Sequence, residues 1–234
     1  MPLGKRTLWA REPAVGDSLA FERSLWGQGY RLVAGTDEAG RGPLAGPVVA
    51  ACVILPRQCE AGIFKDSKQL TPERRLELVG RLRALPGASW GLGVVSAAEI
   101  DRINILQAAL LAMKKAVQDL AGLSGGLLPD YLLVDGKFTV ALPLPQQALI
   151  RGDSRSASIA AASVVAKVRR DEIMAELHQQ YPQYNFQQHK GYGTAEHRLL
   201  LQAHGPCPEH RHSFKPVRLA IAAATDGRTG EDPR

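Results

Sequence analysis

The chain has 234 residues, 45% hydrophobic and 22% charged, a balance that excludes wholesale disorder and fits one or two folded domains. Lys+Arg 29 against Asp+Glu 23 leaves a net charge of +6 and a pI of about 9.4, which suits a polyanionic partner. No apolar run nears the ~18 residues of a membrane span, residues 1–15 lack the apolar stretch of a secretory signal, and three cysteines without a CxxC pair build no disulfide framework, so a reducing cytoplasm is expected.

The chain alternates strand and helix signals. Residues 18–26 carry apolar Leu19, Phe21, Leu25 and Trp26 and stop at Gly27, which predicts a short helix. Residues 31–37 and 47–55 are apolar, β-branched runs around a Gly/Pro-rich turn and predict two strands. Thr71-Pro72 opens a helix, with Leu76, Val79 and Leu82 as its buried stripe. Residues 90–95 predict a third strand. Ser96 and Glu99 form a capping box before a helix whose stripe runs from Ile105 to Leu120. Residues 131–135, YLLVD, predict a buried strand. Residues 157–177 predict a long helix, its first half nearly all small or β-branched residues that let it lie close to a sheet. Residues 194–204 predict a helix capped by Thr194 and ended by Gly205. Such an order indicates helices covering a sheet in an α/β or α+β fold.

Four acids stand out from the solvated surface charges. Asp37 and Glu38 end the first strand, Asp135 ends YLLVD, and Asp153 precedes the long helix. An acid at the tip of an apolar strand is costly unless it meets water, a partner or a metal. Asp37 and Glu38 point to opposite faces of a regular strand, so they share one site only where the strand breaks, at Gly40 and Gly42. Singly, each acid has a plain reading: Asp153 as a helix cap, Asp135-Gly136 as a turn. As a set they offer hard oxygen ligands that suit Mg²⁺ or Mn²⁺, and two such ions ~3.5–4 Å apart clamp in-line attack at phosphorus.

These residues lie in blocks that closely resemble ribonuclease HII. The blocks are GTDEAGRGPLAGPVV at 35–49, KDSKQL at 65–70, VDGK at 134–137, GDS at 152–154, SIAAASVVAKVRRD at 158–171, HKGYGT at 189–194 and SF at 213–214. They run in family order from about residue 30 to residue 217 and look bacterial in type. Gln69 and Gly193 depart from the commoner lysine and proline of the family.

The resemblance implies a ribonuclease H-like mixed β-sheet flanked by helices, with a C-terminal helical extension. It implies an endonuclease acting on RNA–DNA hybrids and on duplex DNA holding single ribonucleotides, cutting 5′ to the ribonucleotide to leave 3′-hydroxyl and 5′-phosphate ends. Carried over by motif, the catalytic and metal-binding acids are Asp37, Glu38, Asp135 and Asp153, with Mg²⁺ or Mn²⁺ as cofactor. Gly40, Arg41 and Gly42 match the family's GRG loop and Tyr192 its KGY tyrosine. Glycines without a Cβ let backbone approach a ribose, whose 2′-hydroxyl marks RNA; they also suit a tight turn. Tyr192 on its own reads as an ordinary loop aromatic packed in the core. Lys65, Ser67, Lys68 and Lys190 are phosphate-side candidates, with a solvated surface as the alternative. The implied organisation is an N-terminal extension with a short helix (1–29), a catalytic domain (30–218) and a partly disordered tail (219–234). The bacterial type implies a single polypeptide, expected as a monomer in the cytoplasm.

Two other functions share these features: an integrase- or transposase-type relative, which lacks the GRG–KGY pair, and a non-catalytic hybrid-binding module. The six histidines all fall late in the chain. His204, Cys207, His210 and His212 fit a zinc site in composition, but solvated loop and helix positions are the expectation.

Overall fold

The computed structural model of the chain describes residues 17–60, 62–64, 70–123, 125–126 and 128–226. The strands are β1 (Val33–Ala39), β2 (Val48–Ile54), β3 (Ser89–Val95), β4 (Tyr131–Asp135) and β5 (Gln146–Leu149). They form one five-stranded sheet in the order β3-β2-β1-β4-β5. β1–β2 and β2–β3 run antiparallel, β1–β4 and β4–β5 parallel, so the sheet is mixed, as expected.

The helices are α1 (Ala20–Gly27), α2 (Pro72–Ala84), α3 (Ala97–Ile103), α4 (Ile105–Leu123), α5 (Ala157–Gln180), α6 (Phe186–His189), α7 (Ala195–His204) and α8 (Lys215–Asp226). Hydroxyls of Thr71, Ser96, Ser156 and Thr194 accept from the N–H groups of Arg74, Glu99, Ile159 and His197, so four helices start where a side chain satisfies an orphan donor.

Two helices cover the sheet: α5 packs on β1 and β2 from one side, α4 on β3 and β2 from the other. Both come to backbone contact. A Cβ at Gly35 would stand 2.3 Å from Ile159 N, and one at Gly93 2.0 Å from Ala112 O. The helices answer with Ala157, Ala160 and Ala161 on α5 and Ala108, Ala112 and Ala116 on α4, all buried. A buried carboxyl on α1 fixes the start of α5. Glu22 Oε1 accepts from Ser158 N (3.0 Å), Ser156 Oγ (2.6 Å) and Ser158 Oγ (2.6 Å). Burial raises the Glu22 pKa, with the serine hydrogen bonds opposing.

Several local expectations are corrected. β1 does not end at Asp37; it pairs with β2 through Ala39. In α2, Leu78 and Leu82 are buried and Val79 packs on the same core, as expected for Val79 and Leu82, while Leu76 is 56% exposed and Leu78 takes its place. The helix after Ser96 is two helices. Asn104 adopts φ 69° between them, and its side chain accepts from Leu106 N and Gln107 N, restarting the chain as α4. Strand β5 escaped the sequence reading because Gln146-Gln147 lacks β-branched residues; its register against β4 makes it a strand. α6 was also unforeseen, and α8 carries helix through residues 219–226, where no element was expected.

Candidate active site

Asp37, Glu38 and Asp135 lie at the C-terminal ends of the neighbouring central strands β1 and β4, and Asp153 follows the Gly152 amide that donates to Asp135. The β1–β4 pairing ends at Thr36↔Val134, whereas the β1–β2 pairing continues to Ala39↔Val49. Asp37 and Glu38 therefore lie beyond the last β1–β4 pair, as does Asp135, the last residue of β4. The two acids still alternate: Gly35 two residues earlier abuts α5, and Ser163 of α5 hydrogen-bonds Asp37, while Glu38 lies on the α4 side with Ala34. Both nevertheless feel the Asp135 charge. β1 ends at Ala39, and Gly40 follows at φ +98°, so the strand breaks where the glycines predicted, one residue after Glu38.

Asp37 is 4% exposed. Burial pushes its carboxyl well above the ordinary value of 3.8, and the charges of Glu38 and Asp135 push the same way. Burial also raises Glu38, against the pull of Arg41, with Asp135 adding to the rise. Arg41 Nη1 donates to Glu38 Oε1 at 3.2 Å, but Glu38 Oε2 is buried without a hydrogen-bond partner. Asp135 Oδ1 accepts from Gly152 N at 2.6 Å. Asp153 is the next residue, half-buried in a single 3₁₀ turn, Gly152–Ser154, between β5 and α5. The chain reaches it through Arg151 in the left-handed region, φ 54°.

The donor chemistry fits a hard divalent cation: carboxylate oxygens, one of them orphaned and buried. Among the described residues, no three His, Cys, Asp or Glu side chains form a ready-made cage. Two of the acids instead take up the nearest protein donors, Arg41 and the Gly152 amide, as like charges in a desolvated site must.

Beside the acids, two loops lie against each other. Gly40, Arg41 and Gly42 begin the β1–β2 connection, residues 40–47, and Lys190–Tyr192 begin the connection from α6 to α7. Leu44 N donates to Gly191 O at 2.8 Å, and a Cβ at Gly42 would stand 3.8 Å from the Tyr192 ring. Tyr192 is 45% exposed, so it is a surface aromatic and not a core one. Lys190 is half-buried with φ 50°, and its carbonyl accepts from Arg170. Lys65, Ser67 and Lys68 lie outside the described residues.

Of the four residues expected to be solvated, His204 and His212 are exposed, whereas Cys207 and His210 are buried; His189 and His197 are buried beside them. Their partners set their tautomers. His210 Nδ1 accepts from Cys207 N (3.0 Å); its Nε2–H donates to His197 Nε2 (3.1 Å), whose Nδ1–H donates to Tyr192 O (2.9 Å). Burial holds His197 down at about 4 and His210 at about 3, so the chain of rings is neutral near pH 7 and pins the Tyr192 backbone.

Two buried arginines also escaped the sequence reading. Arg170 and Arg211 are 1% and 0% exposed and donate almost wholly to backbone carbonyls of residues 40–47 and Lys190. Burial lowers Arg170 to about 10 and Arg211 to about 9, so both stay charged at neutral pH. No local signal marks them. Arg170 sits among helix-surface charges in sequence, and its burial follows from where α5 crosses the loop.

The family model for Ribonuclease HII matches residues 34–217, from the start of β1 into α8. The Ribonuclease HII of Desulfotalea psychrophila is 54% identical over 202 residues, covering 86% of this chain and 88% of that protein. Among solved structures, the ribonuclease H2 of Pyrococcus horikoshii OT3 superposes with a TM-score of 0.66 at 25% identity, covering 82% of this chain and 98% of that one. Bst-RNase HIII, solved in complex with Mn²⁺, shares the fold with a TM-score of 0.66 at 20% identity, over 83% of this chain and 70% of that one. The match takes in the acids, the 40–47 loop and the Lys190–Tyr192 loop together, and on it the chain belongs to the ribonuclease HII family and is a type 2 ribonuclease H.

Proposed function

We propose that this ribonuclease H cuts both RNA–DNA hybrids and duplex DNA holding a single ribonucleotide, on the 5′ side of the ribonucleotide, leaving 3′-hydroxyl and 5′-phosphate ends. The observation that carries this reading is the placement of Asp37 and Glu38 just past the last β1–β4 pair, beside Asp135, whose Oδ1 accepts from the amide of Gly152, the residue before Asp153. Asp37, Glu38, Asp135 and Asp153 would hold Mg²⁺ or Mn²⁺; Bst-RNase HIII, which shares the fold, was solved in complex with Mn²⁺. Two such ions would supply an ionised water and neutralise charge at the scissile phosphate.

The chain's own residues do the rest. Asp37, buried and hydrogen-bonded by Ser163, is fixed in place before substrate arrives. Gly40 and Gly42 bring backbone close to the ribose, where a side chain would stand off. Tyr192 offers a ring face to the sugar beyond the ribonucleotide, favouring a deoxyribose there and so an RNA–DNA junction. Arg41 and Lys190 stand at the rim to meet phosphates. The three cysteines are buried and unpaired, which supports a reducing cytoplasm, and the chain acts as a single polypeptide. Among the described residues no helix is long and apolar enough to cross a membrane.

The deciding experiment is an assay on duplex DNA carrying one ribonucleotide. With Mg²⁺ or Mn²⁺ a single cut 5′ to the ribonucleotide is expected; with chelator, none. Cutting that persists in chelator, or strand transfer on all-DNA ends, overturns the reading. A second expectation concerns Tyr192→Ala. It should lower cleavage at a single ribonucleotide by about tenfold or more, the scale of one lost stacking contact, and lower cleavage of uniform hybrid less. Equal losses on the two substrates would remove the ring from junction recognition.

A further inference from the structure

The carbonyls of the 40–47 loop turn inward. Arg211 Nη2 donates to Gly40 O at 2.6 Å and Nη1 to Arg41 O at 3.0 Å. Its Nε donates to Gly46 O at 3.0 Å, and Nη2 also reaches Pro47 O at 3.2 Å. Arg170 completes the bracket: Nε to Pro47 O (3.1 Å), Nη2 to Ala45 O (3.2 Å) and Nη1 to Lys190 O (3.0 Å). Among the described residues neither guanidinium has a carboxylate within ion-pair distance, although Asp171 and Asp101 lie near enough to be felt. Two like charges have been buried with peptide carbonyls as their main partners, helped by the Tyr192 ring and Met174 sulfur beside Arg170 and the Phe214 ring beside Arg211. Such burial is costly, and only a geometrically complete set of acceptors offsets it.

Peptide geometry gives the arrangement a consequence. No peptide bond among the described residues is cis, and in a trans peptide the N–H points opposite to the carbonyl of the same unit. Gly40 O points in to Arg211, so Arg41 N–H points out. Arg41 O points in to the same guanidinium, so Gly42 N–H points out. Both residues are exposed. One buried side chain thus aims two successive backbone donors away from the core, beside Tyr192. Gly40 is the residue that permits this: its φ is +98°, and a Cβ there would lie 2.1 Å from Arg170 Nε.

We propose that Arg211 is a positioning residue for ribose recognition: it sets the peptide planes of residues 40–42 so that the Arg41 and Gly42 amides donate to the sugar–phosphate unit of the ribonucleotide, while Arg170 ties this loop to the Lys190–Tyr192 loop. The inference rests on the function proposed above, which supplies the ribonucleotide substrate. Lysine keeps the charge at position 211 but cannot bond Gly40 O, Arg41 O and Gly46 O in one plane. The charge alone is therefore insufficient.

The test measures binding in an Asp37→Asn background that holds substrate uncut. Two duplexes are compared, one with a single ribonucleotide and one all DNA; their affinity ratio is the ribose preference. Arg211→Lys should lower that ratio by about tenfold, the equivalent of one or two lost hydrogen bonds, with affinity for all-DNA duplex within about twofold of the parent. A fold defect alone lowers both affinities together and leaves the ratio unchanged; an unchanged ratio overturns the proposal. Should Arg211→Lys not fold, hydrogen exchange on the Asp37→Asn protein decides. The Arg41 and Gly42 amides should gain protection with the ribonucleotide duplex and not with all-DNA duplex; no gain overturns it. If the parent shows no ribose preference at all, the proposed function fails instead, so the two failures are distinguishable.

Discussion

Asp37→Asn is expected to lower cleavage by at least about a thousandfold, the cost of losing several kcal/mol of charge stabilisation at the scissile phosphate. The same substitution should raise stability without metal. Burial and the neighbouring acids hold the Asp37 pKa well above its ordinary value, so the folded state binds that proton more tightly than the unfolded chain does. An acid shifted upward favours folding only while protonated; ionised at neutral pH, it works against the fold. Asparagine keeps the shape and removes the charge. Metal-free Asp37→Asn should therefore melt a few degrees above the wild type at pH 7, the response of a chain this size to about 1 kcal/mol. The gain should shrink as pH falls toward the ordinary carboxyl value, because the wild type then takes up its proton. Calorimetry between pH 4 and 8 reads both signs. A wild-type cleavage rate would falsify the assignment of Asp37 to the site, and a lower melting point at pH 7 would contradict the desolvation argument.

Gly35→Ala should be among the most damaging of the small substitutions. Its new methyl would sit 2.3 Å from Ile159 N and 2.4 Å from Ser158 C, both backbone of α5. Backbone cannot rotate aside, so α5 must lift from β1 as a unit. A loss of about 3 kcal/mol or more is expected, at the upper end for overpacking. Activity should fall further than the folded fraction accounts for. Lifting α5 draws Ser163 away from Asp37 and strains the Glu22 bonds that seat the helix start next to Asp153. The control is Gly122→Ala near the end of α4, where a Cβ meets nothing within 4 Å; it should be neutral or stabilise by up to about 1 kcal/mol. Urea midpoints with single-ribonucleotide cleavage rates report both. If Gly35→Ala matches the wild type in stability, α5 and β1 are not in contact as described.

The two variants test different levels of the same arrangement. Asp37 carries charge chemistry that the fold tolerates at a cost. Gly35 carries none, yet it sets the distance at which that chemistry operates. The bracket of Arg170 and Arg211 belongs with Gly35: it acts on peptide orientation and touches no reacting atom.

Much of the scaffold was legible locally. The runs at 48–54 and 131–135 could hardly be anything but buried strands, and hydroxyls at 71, 96 and 194 marked helix starts that the structure keeps. Misreadings came where neighbours in space overrode neighbours in sequence. Gln146-Gln147 became a strand through pairing with β4, and Leu78 replaced Leu76 in the core because contact decides which face turns inward.

The acids could be picked out from the sequence because they depart from their local setting, at the tips of apolar strands or before a helix; the GRG and KGY segments stood out as site segments only through the family resemblance. What sequence could not give was how they meet. Asp37 and Glu38, on opposite faces, lie with Asp135 beyond the last β1–β4 pair, so both feel its charge. Arg170 and Arg211 look like ordinary surface charges when read along the chain, and His197 and His210 like solvated rings. Only the crossing of α5 and the return of the 207–211 segment bury them against one loop. Residue type and spacing encode chemistry and local conformation, since those depend on near neighbours. Which carbonyl a buried guanidinium finds depends on chain segments more than a hundred positions apart, and their meeting exists only once the sheet and its helices have packed.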